Sequence, residues 1–184
     1  MASSQTANRL ERPLAIVTYF RGMPVRHPNV RRVLGLLAKP GYDAPLAIEL
    51  LKRADADGDG EAAYALGTWH LFGKHVPKDY KCAAGYLKRA ADRDYPSAAF
   101  DLAISYEKGA GVKQDAAKAF GLYMKASLLG DRDAMYEVGR CFYWGIGTEK
   151  DRHAAKVWFD AHEQYDERRS TRRKAVRRTP LRAA

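Results

Sequence analysis

Cysteine is scarce. The two in 184 residues, Cys82 and Cys141, do not stand at equivalent places of the repeat described below, which excludes a disulfide framework and makes a reduced cytoplasm the expected compartment. Long apolar runs are also missing. The longest, Pro13 to Phe20, falls well short of the ~20 residues a spanning helix needs and precedes no small-residue cleavage pattern, so neither a membrane span nor a secretory signal is expected. No glycine loop cradles phosphate, because Gly109-x-Gly111 leads to Gln114 where a third glycine is needed. No serine or cysteine has triad-like neighbours. The five histidines (His27, His70, His75, His153, His162) bring no third ligand to the His70 and His75 pair. No catalytic residue, metal or cofactor is therefore expected.

Acidic side chains are nearly absent from the two ends. Residues 1–40 carry seven basic and one acidic side chain, and residues 167–184 carry eight and one; between them, residues 41–166 hold 17 basic and 20 acidic. The formal charge of +10 thus comes from basic arms on a slightly acidic body. Residues 1–26, rich in arginine and poor in acids, read as a flexible extension and share that composition with transit peptides, with Leu14 to Phe20 expected to pack on the first helix.

What is abundant is self-similarity. An offset of 36 residues aligns Gly73, Gly109 and Gly145; Asp79, Asp115 and Asp151; Ala62, Ala98 and Ala134; and Ala83, Ala119 and Ala155. Apolar columns keep register: Leu66, Leu102 and Val138; Tyr64, Phe100 and Tyr136; Leu87, Tyr123 and Phe159. Each copy reads as helix, turn, helix: 62–72 and 79–91, 98–108 and 115–128, 134–144 and 151–163. Glycine ends each first helix, and aspartate is placed to cap each second one at about 1 kcal/mol. One pair cannot bury its own apolar face, so the copies must stack.

A further helix starts at Pro28 and stops at Pro40-Gly41, and Asp43 to Gly58 matches a second helix 36 residues early. The expected organisation is an extension over 1–27, an array over 28–166 (partial unit 28–61, full units 62–97, 98–133 and 134–166) and a basic tail over 167–184.

The run Ala98-x-x-x-Leu102-Ala103-x-x-Tyr106-x-x-Gly109-x-Gly111-Val112-x-x-Asp115-x-x-Lys118-Ala119-x-x-Leu122-Tyr123 resembles the Sel-one-like (Sel1-like) repeat, a shorter relative of the tetratricopeptide repeat. The resemblance extends over roughly 43–166. It implies an all-α, right-handed superhelix of antiparallel helix pairs, about three and a half repeats long. It also implies a non-enzymatic adaptor or scaffold, in bacteria often a partner of effectors or an immunity protein, with no catalytic residues to transfer. His75 departs from it by replacing the second turn glycine, and Asp160, His162 and Glu163 depart in a way that suits a solvent-facing end.

In such arrays the first helices line the inner face. The equivalent triplets there are Ala65, Asp101, Glu137; Thr68, Ile104, Arg140; and Phe72, Lys108, Trp144. Phe72 and Trp144 are aromatics the packing pattern does not demand, and aromatic and arginine side chains dominate many interfaces. Phe72, Lys108, Glu137, Arg140 and Trp144 are accordingly the expected contacts to a protein partner. The alternative is nucleic acid or another anionic surface bound by the tail through Arg168, Arg169, Arg172, Arg173, Lys174, Arg177 and Arg178, without aromatics for base stacking. Asp55, Asp57 and Asp59 resemble the opening of a calcium loop, but its twelfth position is Leu66, so a solvated turn is expected. Both thiols are expected to be buried.

Overall fold

The computed structural model describes residues 27–178, with side chains to residue 165. Its helices are α1 (Pro28–Leu37), α2 (Ala44–Ala56), α3 (Gly60–Phe72), α4 (Tyr80–Asp92), α5 (Pro96–Lys108), α6 (Ala116–Leu128), α7 (Arg132–Trp144) and α8 (Arg152–Arg178). No strand occurs among the described residues, and the all-α helical-repeat architecture holds. The chain forms two compact units, one ending at Arg93 and the other beginning at Asp94. The extension and its apolar segment Leu14 to Phe20 lie outside the described residues.

In the first unit α1 starts behind His27, whose Nδ1 accepts from the amide of Asn29. Val30 and Val33 of α1 share one apolar interior with Leu50 and Leu51 of α2 and with Leu66 and Trp69 of α3. Against α3 packs α4, closely, because a methyl group at Gly67 would stand 3.1 Å from the Leu87 side chain. In the second unit Ala98, Leu102, Ala119, Tyr123, Ala134, Val138 and Ala155 are all nearly inaccessible. The aromatic columns meet there as rings, Phe100 on Tyr123 and Phe120 on Phe142, with centroids 5.7 and 5.2 Å apart.

The same bond closes the turn of each of the three repeat hairpins. The amide of Asp79 donates to the carbonyl of His70 (3.0 Å), that of Asp115 to Tyr106 (3.0 Å) and that of Asp151 to Phe142 (2.9 Å). The aspartate side chains then turn back to accept from the first amides of the following helices. Those bonds favour the ionised carboxylate, and they hold the Asp79 and Asp115 carboxyls below the usual range. Gly73, Gly109 and Gly145 end the first helices in the left-handed region. Two residues on, Gly111 and Gly147 are left-handed as well, and His75 joins them at a φ of 64° in spite of its side chain. The His75 departure therefore leaves the turn intact. Its ring is compensated by edge contacts with Trp69 (4.6 Å) and Tyr42 (5.2 Å) and by a hydrogen bond between Nδ1 and the Tyr42 hydroxyl (2.9 Å).

A second aspartate column went unnoticed in the sequence. Asp59 and Asp131 cap α3 and α7, while Tyr95 at the equivalent place makes no side-chain cap to α5. Of the end departures, Glu163 is exposed as expected and His162 is not. His162 accepts from Nε of Arg132 (3.0 Å) and meets the Tyr136 ring edge-on, so it is half-buried instead of facing solvent. The last helix runs unbroken to Arg178, crossing the expected start of the tail at 167.

Candidate functional site

Phe72, Lys108 and Trp144 are each the last residue of a first helix, immediately before its left-handed glycine. That position fixes them. The backbone turns away at the glycine, leaving the preceding side chain on the rim of the hairpin with nothing following over it. Trp144 is 65% exposed and Phe72 43% exposed, and Lys108 is exposed as well. In the second unit the indole of Trp144 rests edge-on against Tyr143 at 4.8 Å, and the Arg152 guanidinium lies over the Tyr143 ring at 5.6 Å. The contact braces an exposed indole that the repeat does not bury.

The other two triplets are more enclosed, with Ile104 and Arg140 half-buried. Ala65, Asp101 and Glu137 are buried, and so is Thr68. Arg140 donates through Nε to Glu137 (2.5 Å) and through Nη2 to both oxygens of Glu107 (2.8 Å each). The Tyr123 hydroxyl donates to the same Glu107 at 2.8 Å. The flanking carboxylates raise the already high pKa of Arg140, and burial followed by the Glu107 charge raises that of Tyr123, so both protons stay in place. The Arg140–Glu107 pair thus ties α7 to the end of α5, four residues before Trp144 and one before Lys108. Glu107 escaped the sequence reading because it belongs to no repeated polar column, and Tyr123 enters that reading only as an apolar member of the Leu87, Tyr123, Phe159 column.

The remaining candidates have structural occupations. Asp55 is not in a solvated turn: it is buried, and Arg89 and Arg93 both grip its carboxylate, at 2.8 and 2.7 Å. Asp59 is the α3 cap, so the three aspartates do not converge. Among the described residues no three His, Cys, Asp or Glu side chains form a metal set. His70 stacks on Tyr86 at 5.6 Å, as a substitute aromatic should. Of the thiols, Cys141 is buried, which pushes its pKa up to about 12. Cys82 is exposed, against expectation, and a hydrogen bond to Asp79 pushes its pKa up as well, so neither is a ready nucleophile. The side chains of Arg168, Arg169, Arg172, Arg173, Lys174, Arg177 and Arg178 lie outside the described residues, while their backbone belongs to α8. No described helix is long and apolar enough to cross a membrane.

Comparison with known proteins agrees with this geometry. The Sel1 repeat model matches residues 60–95, 96–131 and 132–161, more than half of the chain and with the 36-residue period of the turns. The chain belongs to the Sel1 repeat family. Among curated relatives, protein sel-1 homolog 2 of Rattus norvegicus is 38% identical over 84 residues, which is 45% of this chain and 12% of the relative. The DAP3-binding cell death enhancer 1 of Rattus norvegicus is 34% identical over 96 residues, 52% of this chain and 18% of that protein. The chain therefore spans less than a fifth of the length of these relatives. The solved Sel1 repeat protein of Oxalobacter formigenes superposes with a TM-score of 0.69 at 29% identity, covering 74% of this chain and 40% of that one. Sel1 repeats mediate protein–protein interaction and are not typically enzymatic.

Proposed function

We propose that this Sel1 repeat protein is a non-enzymatic adaptor that holds a protein partner on its first-helix face. Trp144 and Lys108 make the contact in the second unit and Phe72 in the first, with Arg140 and Glu137 acting from beneath to set the rim. The observation that carries the reading is Trp144: a tryptophan 65% exposed, braced by Tyr143, at a position the repeat does not need for packing. Its finer form, a bacterial effector-associated or immunity protein, rests on the family resemblance alone.

The test is site-specific. A photo-crosslinking residue at position 144 should trap a discrete partner, and Trp144→Ala with Phe72→Ala should weaken capture of that partner while far-ultraviolet circular dichroism stays unchanged. Undiminished capture by the double variant removes the assignment. A second reading is favoured by the helical backbone from Asp166 to Arg178, which would present seven basic residues along one continuous element. Binding of a polyanion there would fall steeply with salt and vanish when 167–184 is deleted, leaving partner capture by the repeats untouched.

A further inference from the structure

The charged side chains of the second unit are unequally engaged. Lys118, Lys125, Arg140 and Lys156 pair with Asp115, Asp94, Glu107 with Glu137, and Asp160 in that order. Arg132 is bonded to His162. The cations left without a carboxylate partner among the described residues are Lys108, Lys113, Lys150 and Arg152, and all four stand in the two hairpin turns or at the helix residue next to one. The carboxylates of the same turns are engaged. Asp115 and Asp151 accept from helix amides, and Glu107 serves Arg140 and Tyr123. Glu149 opposes the four, and so does Asp151, which keeps its charge while it caps α8.

The two turns are also in register with each other. A methyl group on Gly147 would come within 2.0 Å of the Ala116 carbonyl oxygen, so the second turn lies directly on the start of α6, beside the end of the first turn. The first turn is held further by Gln114, which donates to the carbonyl of Glu107 (2.8 Å). The result is an edge where cations outnumber carboxylates, with exposed Trp144 and half-buried Tyr143 set into it.

We propose that this edge takes an acidic peptide segment of a partner protein, one carrying an apolar anchor residue. The anchor lies on Trp144 and Tyr143, and the flanking carboxylates meet Lys108, Lys113, Lys150 and Arg152. Charge complementarity selects this occupant. A basic or neutral segment would leave four cations facing like charge or none, whereas carboxylates meet them without displacing any existing ion pair. The inference rests on the adaptor reading and names the chemistry of the partner segment.

The experiment measures fluorescence anisotropy of a labelled twelve-residue peptide of glutamates with a central leucine pair, titrated with the full chain. Peptides with glutamine or lysine in place of glutamate serve as comparisons. The glutamate peptide is expected to bind, and the other two to bind at least ~10-fold more weakly. Reversal of Lys108, Lys113 and Lys150 to glutamate, or Trp144→Ala, should each weaken binding by about tenfold or more, the first effect shrinking in high salt. Replacing the seven basic residues between Arg168 and Arg178 by glutamine should leave it unchanged. Equal binding of the three peptides, loss only in the glutamine-tail variant, or indifference to the lysine reversals would each overturn the proposal. A crosslinked partner that depends on Trp144 but ignores the lysine reversals would overturn it too while leaving the adaptor reading standing.

Discussion

Arg140 offers the sharpest test of how the second unit holds its rim. Its guanidinium makes three hydrogen bonds to two carboxylates, with the side chain 20% exposed, Glu107 27% and Glu137 10%. Arg140→Ala leaves both carboxylates facing each other with little water, and breaking a fully buried pair costs ~3–5 kcal/mol. The partial exposure of Glu107 lowers that, so we expect a loss of about 2–4 kcal/mol, larger than an exposed ion pair could give. Arg140→Lys should fall between, because an ammonium cannot serve both carboxylates in fork geometry. Urea unfolding followed by the Tyr and Trp signals reports the loss, and amide exchange localises it to α5 and α7. Repeating Arg140→Ala in a Glu107→Gln/Glu137→Gln background should recover most of the cost, since no charge is then stranded. A loss below about 1 kcal/mol, or an equal loss in both backgrounds, would refute the view that the network carries the rim.

Gly147→Ala should destabilise by more than ~3 kcal/mol, as a left-handed backbone is combined with a clash against a carbonyl that cannot swing aside; thermal melting checks it, and a shift under 2 °C contradicts it. Burial lowers the His75 pKa from its ordinary 6.5. The fold prefers neutral imidazole, so its contribution is complete above pH 6.5 and is lost as pH falls below that value; His75→Asn, which tolerates the left-handed φ, should flatten stability between pH 6.5 and 5. Glu61 has the opposite sign. Burial, then the neighbouring Asp59 charge, raises its pKa to about 7, and its Oε1 is buried without a hydrogen-bond partner among the described residues. Its proton is favoured by the fold, so stability falls as pH climbs from 4.5 through 7, and Glu61→Gln should stabilise at pH 8 and change little at pH 4; denaturation at both values, in the His75→Asn background, separates the two effects.

The fold was legible wherever a physical demand repeats. Glycine before the turn, aspartate after it and small residues between the helices recur because each hairpin has the same backbone to close, and three copies make the demand visible. Single-copy chemistry gave no such signal. Glu107 shares its column with Leu71 and Tyr143, and Arg140 with Thr68 and Ile104, so their pairing depends on two hairpins meeting and not on any spacing within one. Tyr95 hid the first-helix cap column by interrupting Asp59 and Asp131. The exposure of Trp144 followed from pattern, since packing had no use for it, but the burial of Asp101 and Glu137 beside it did not. Asp55 misled for a related reason: alternating aspartates suggest a wet loop until Arg89 and Arg93, more than thirty residues on, are seen to cover the first of them.

At Gly58, Asp94 and Gly130 the chain reverses through a left-handed residue and begins a new hairpin. Thirty-six residues after Gly130 stands Asp166, inside α8, and there the helix goes straight on. The bend that opens each new hairpin is thus absent at this place. The 14 residues from Tyr165 to Arg178 extend the last helix by about 21 Å, making it a boom rooted in a hairpin core, so that a load on its basic end would be borne by α7 and α8 together.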